Sequence, residues 1–189
     1  MNKDLRLSKV LQIVILAIIL ILISLNISQL RLLLLLIPVP FALIGTLSNL
    51  TNSIASLIII FLALAYMIKP IQAMDIFINS IVPGLIIGII AKKVIREKDS
   101  NKYEPIFMGS IVFIIAIIAY YFMYKYAFKI DILNEFLQIL DKGLESQKDV
   151  LKSAGNELLK SDTFRKIIPS VLFFRSMILS IIIYLIEIF

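Results

Sequence analysis

The sequence predicts an all-α integral membrane protein: one membrane domain over 1–189, a bundle of about six transmembrane helices with one amphipathic surface helix. Three observations carry this. The chain is 60% hydrophobic with a mean hydropathy of +1.00, whereas soluble globular chains hold roughly 45–50% apolar residues. Charged residues are 17% of the chain and fall in bands: the first ten residues, 92–104 and 125–166. The apolar runs between the bands lack the alternation of membrane barrel strands. In lipid, where nothing satisfies a bare backbone, such runs must be helical.

Six runs stand out, at about 8–25, 32–48, 54–68, 71–91, 105–124 and 167–188. About 20 residues at 1.5 Å each cross a hydrocarbon core of about 30 Å. The first run, Val10 to Leu25, follows a basic start as a signal peptide would. It lacks a small-residue cleavage site and is read as a retained first helix. The second and third are short, which calls for local thinning of the bilayer or shielding by neighbours. The second contains IPVPFALIG, with Pro38, Pro40 and Gly45, and the fourth contains VPGLIIG, with Pro83, Gly84 and Gly88. These prolines predict bends near mid-membrane, and broken helices also accompany transporter sites. Gly84 and Gly88 form a G-x-x-x-G and Ser176 and Ser180 a second small-residue pair, both read as helix-packing faces.

The connector before the last span is polar, yet Leu133, Leu137, Leu140, Leu144, Leu151, Ala154 and Leu158 recur at helical spacing. This predicts an amphipathic helix or hairpin over 131–160, broken at Gly143 and Gly155, lying on the membrane surface. With the N-terminus inside, the cytoplasmic segments hold Lys3, Arg6, Lys9, Lys92, Lys93, Arg96, Lys98 and Lys102, against Arg31 and Lys69 in the short outer loops. The long connector adds eight basic residues to the outer side. The dense AKKVIREK cluster beside a helix end favours cytoplasmic N- and C-termini in a multi-pass protein.

Without cysteine or histidine the chain has no disulfide framework, no thiolate and no imidazole base or metal ligand. The phosphate-loop, nucleophile-elbow and zinc-protease motifs are absent. No enzyme activity, cofactor or metal is therefore expected. The net charge of +6 is read as topology-setting loops that touch anionic lipid, not as nucleic-acid binding.

Polar residues inside apolar runs are the best functional signal, since Arg or Asp at a helix centre costs about 2.5–3.5 kcal/mol on insertion scales. Gln72, Asp75 and Asn79, spaced i, i+3, i+7, share one face of the fourth run. The fifth run ends AYYFMYKY, bringing Tyr120 and Tyr124 one turn apart, and Arg175 lies about 12 Å into the last run. Under either orientation these three regions occupy one membrane half. The functional reading is a ligand pocket of Gln72, Asp75, Asn79, Tyr120, Tyr124 and Arg175, with Arg175 pairing Asp75 when empty and an anionic ligand when filled. The structural alternative is an ion pair without a ligand. Tyr121 and Tyr126 read as an interfacial aromatic belt and Lys69 as an interfacial anchor.

With its basic first helix, LLLLLIPVPFALIG, IVPGLIIGIIAKKVIREK and the amphipathic stretch before a last helix, the chain resembles the YybS-like family of predicted bacterial membrane proteins. That family is similar in organisation to the substrate-binding S components of energy-coupling-factor vitamin transporters. The resemblance implies a small-molecule-binding subunit in a bacterial cytoplasmic membrane, working with coupling and ATPase subunits. It also implies a truncated or minimal form, family members being commonly longer. S components dock through an A-x-x-x-A face on the first helix, for which SKVLQIVILAIIL offers only Ala17, with Ser8 as a substitute. The alternative is a scaffold recruiting a protein partner or anionic lipid through 131–160 and 92–102.

Overall fold

The computed structural model describes residues 3–96, 101, 103–146 and 161–188. Among these the regular structure is all helical: α1 (Lys3–Asn26), a 3-10 segment (Ser28–Leu36), α2 (Pro38–Leu47), α3 (Leu50–Met67), α4 (Pro70–Ile76), a π-helical turn (Phe77–Ile81), α5 (Val82–Arg96), α6 (Glu104–Ala127), α7 (Ile132–Ser146) and α8 (Ser161–Ile188). Five stretches are long and apolar enough to cross a membrane: Lys9–Asn26, Leu50–Met67, Pro70–Ile95, Glu104–Ala127 and Lys166–Ile186. The protein is a helical membrane bundle. The 147–160 part of the expected surface helix lies outside the described residues.

The second expected helix is the one that differs. Pro38 and Pro40 have no N–H to donate to the carbonyls four residues back, which disfavours one α-helix through 32–48. The chain instead forms nine residues of 3-10 helix and restarts as the ten-residue α2, with Pro38 in its first turn. Ten α-helical residues span only about 15 Å, but the 3-10 segment rises about 2 Å per residue and adds about 18 Å.

The direction of each element follows from its contacts. Gly84 packs on Pro38 and Gly88 on Ala42, so α2 and α5 run parallel. Lys92 near the end of α5 donates to the Ser48 carbonyl just past the end of α2. Ser180 of α8 donates to the carbonyls of Pro105 and Ile106 at the start of α6, 3.2 and 2.9 Å away, so α6 and α8 run antiparallel. The ends of α1 and α3 and the start of α4 meet at the opposite end of the bundle. The five membrane-length stretches are joined by one shorter apolar segment, Leu33–Leu47, and α1 begins at the end of the bundle where α8 finishes.

The short α2 is the centre of the bundle. On one side Ile37, Phe41 and Ile44 join a core with Val10, Val14, Ala17 and Ile21 of α1 and Ile60 and Leu64 of α3. On the other, Ala42 meets Ile87, Phe113, Leu179 and Ile183 from α5, α6 and α8. The α1 stripe has the alternating four-and-three spacing of one helical face. At the end of α6, Lys129 takes the left-handed conformation (φ 57°), and the Ile130 N–H returns to the Tyr124 carbonyl at 3.0 Å, turning the chain into α7.

Ser180 is the polar fastener between α6 and α8. Ser180→Ala is expected to lower the unfolding free energy in detergent by about 0.6–1.7 kcal/mol, from the average to the maximum found for hydrogen bonds between membrane helices. Unchanged stability would assign the α6–α8 contact to packing alone.

Candidate functional site

Asp75 stands at the end of α4, half-buried and about 8 Å beyond Pro70, where the span begins. The next residues leave the α-helical register because of Pro83. That residue cannot donate to the Asn79 carbonyl, and the helix widens into a π turn closed by the Val82 N–H on the Phe77 carbonyl. Phe61 of α3 packs against Phe77 with ring centroids 4.9 Å apart and braces this turn. Such single π turns recur at functional sites. Within it Asn79 donates its side-chain N–H to Asp75 Oδ1 at 2.8 Å.

Two other helices reach the same carboxylate. The Tyr120 hydroxyl of α6 interacts with Asp75, and its ring lies 4.6 Å from that of Tyr124, tilted by 49°. Arg175 of α8 lies within electrostatic reach of Asp75. It is exposed on the bundle wall although it sits nine residues into its span. The structure therefore gathers Asp75, Asn79, Tyr120, Tyr124 and Arg175 from α4, the π turn, α6 and α8. Gln72 is placed differently. It is exposed and lines a cleft of about 790 Å³ between the ends of α1 and α3, the 3-10 segment and the start of α4.

The remaining candidate residues divide between contacts across helices and contacts within one helix. Gly84 and Gly88 press onto the α2 backbone. Ser176 is buried and bonds back to Leu172 in its own helix at 2.8 Å, whereas Ser180 bridges to α6. Tyr126 is 71% exposed and stacks on Phe122; Tyr121 accepts a hydrogen bond from Lys125 at 3.2 Å.

Sequence reasoning missed three features. The π turn is signalled by Pro83. The Lys92–Ser48 bond has no signal, because Lys92 reads as part of a topology-setting cluster. The third is the cleft, formed by helix ends remote in sequence.

Chemically the cluster offers a carboxylate, an amide, two phenols and a guanidinium, groups suited to holding a solute with polar and charged atoms. Among the described residues no group of three or more acidic side chains is gathered to hold a metal ion.

No curated protein and no solved structure matches the chain. Compared with known families, residues 14–189 match the one described as "Predicted membrane protein (DUF2232)". The chain belongs to the DUF2232 family of predicted membrane proteins.

Proposed function

We propose that this protein is a membrane-embedded subunit that binds a small polar solute carrying an anionic group, in the manner of a transporter substrate-binding component. The observation that supports the reading is the convergence of Asp75, Asn79, Tyr120 and Arg175 from three spans. An arginine exposed within an apolar span is costly, and intramembrane charges usually mark pathways or ligand sites. Arg175 lies within electrostatic reach of Asp75, a role that an anionic solute would take over. The chain has no phosphate-binding loop, so coupling and ATPase subunits would supply the energy for transport. Such partners cannot use Ala17, which is turned into the core at 1% exposure. The location that goes with this function is a bacterial cytoplasmic membrane, N-terminus inside.

Native mass spectrometry of the protein purified from its own membranes tests this. The expected result is a bound metabolite together with an ATPase module, and at least about a tenfold loss of the metabolite in Arg175→Ala, as for a lost charge-assisted contact. Finding neither metabolite nor ATPase would overturn the proposal.

A second reading, a scaffold, draws on α7, where Leu137 is buried while Phe136 and Ile139 stay exposed at 47% and 69%. Deleting 132–146 separates the two: a scaffold loses its partner, whereas a binding subunit keeps its solute.

A further inference from the structure

The cleft beside the polar cluster has a chemistry of its own. Its floor is aliphatic, with Leu22 and Leu25 from α1 and Leu34 from the 3-10 segment. Its rim carries Asn26, Lys69 and Gln72, at the end of the bundle where α1 and α3 finish and α4 starts. That is the level at which a span leaves hydrocarbon for the headgroup region. The cleft thus offers both polar and apolar lining, as the two ends of an amphiphile require. Asn26 donates one side-chain N–H to the Leu22 carbonyl at 2.8 Å, which leaves the second N–H of the amide as a donor. The ammonium of Lys69 is exposed and has no ion-pair partner among the described residues. A lysine at headgroup depth is a point charge for phosphate or carboxylate, and a rim amide can hydrogen-bond the neighbouring oxygens. The volume of about 790 Å³ is in the ordinary range of ligand sites, about 300–1,000 Å³.

We infer that this cleft binds an anionic amphiphile, its head on Lys69, Asn26 and Gln72 and its chain along Leu22, Leu25 and Leu34. The site is separate from the Asp75 cluster and does not depend on that cluster binding anything. Two sources supply this chemistry: a phospholipid of the surrounding bilayer, or a free anion with a hydrocarbon tail.

The test uses the full chain in nanodiscs of equal parts phosphatidylglycerol and phosphatidylcholine, released and weighed by native mass spectrometry. One phosphatidylglycerol is expected to be retained in preference to phosphatidylcholine. Lys69→Gln should lower that preference about fivefold, the effect of one interfacial basic residue. Leu34→Trp, which fills the floor, should abolish retention of the lipid. Lys125→Gln, an exposed charge outside the cleft, should leave both unchanged. Displacement by dodecyl phosphate identifies a site open to free amphiphilic anions, and failure of dodecyl phosphate to displace identifies one filled from the bilayer; both support the assignment. Equal retention of the two lipids, equal losses in Lys69→Gln and Lys125→Gln, or displacement by inorganic phosphate alone would overturn it.

Discussion

Gly88→Ala is expected to destabilise the bundle by about 3 kcal/mol or more, at the upper end of overpacking effects. A Cβ at position 88 would collide with the Ala42 carbonyl oxygen and lie 2.7 and 2.8 Å from its carbon and Cα. The same interface is closed at its other levels. A Cβ on Gly45 would meet the Leu85 carbonyl oxygen at 2.5 Å, and one on Gly84 would meet the Pro38 backbone. All these obstacles are main chain, so no rotamer change relieves them, and α2 must move off α5. Because α2 separates two cores, its displacement opens both. Membrane helices have no hydrophobic drive to re-associate and depend on this close packing. Gly109→Ala is the control. Its Cβ would meet the Ser180 hydroxyl and the Ile87 side chain, which can yield, and the expected cost is about 1 kcal/mol. Unfolding of both variants in detergent measures the contrast; similar losses would show that α2 is not held by backbone contact with α5.

Asp75→Ala is expected to cost about 2 kcal/mol, since it removes the acceptor of the Asn79 amide and the partner of the Tyr120 hydroxyl and leaves the Arg175 charge alone in the span. Arg175→Met alone should be cheaper for stability, because Arg175 is exposed and methionine suits the apolar surroundings. The double variant should therefore be less damaged than the two single changes added together, with a coupling of about 1 kcal/mol. Additive effects would mean that the two charges do not sense each other. The cycle also separates structure from function: a pair kept for stability shows the coupling and no ligand, whereas a binding pair shows the coupling together with the metabolite loss expected of Arg175→Ala.

Most of the fold was legible because bilayer chemistry is coarse. Long apolar runs between charged bands must be helices, so the regions around α1, α3, α6 and α8 could be read from hydropathy. What hydropathy could not show was how the chain spends its length. Leu32 to Leu36 reads as ordinary apolar helix yet belongs to a 3-10 segment that ends just before Pro38. The co-location of Asp75, Asn79, Tyr120, Tyr124 and Arg175 was legible in part, since connectivity alone sends the start of the fourth run, the end of the fifth and the start of the last to one membrane half. The direction of each side chain was not. Gln72 shares a helical face with Asp75 in an ideal α-helix yet opens into the cleft beside α1 and α3, and Arg175 stays exposed.

The account rests on the polar ends of α4, α6 and α8 sharing one side of the membrane. The absence of native cysteine makes single-cysteine labelling with a membrane-impermeant maleimide a direct test. Asn49, Lys69, Asn101 and Gln138 are all exposed and lie before α3, before α4, before α6 and on α7. Cysteines at Lys69 and Gln138 are expected to label from one face, and those at Asn49 and Asn101 from the other. Labelling of Lys69 and Gln138 from opposite faces would contradict the account, because Asp75 and Arg175 would then lie in different membrane halves.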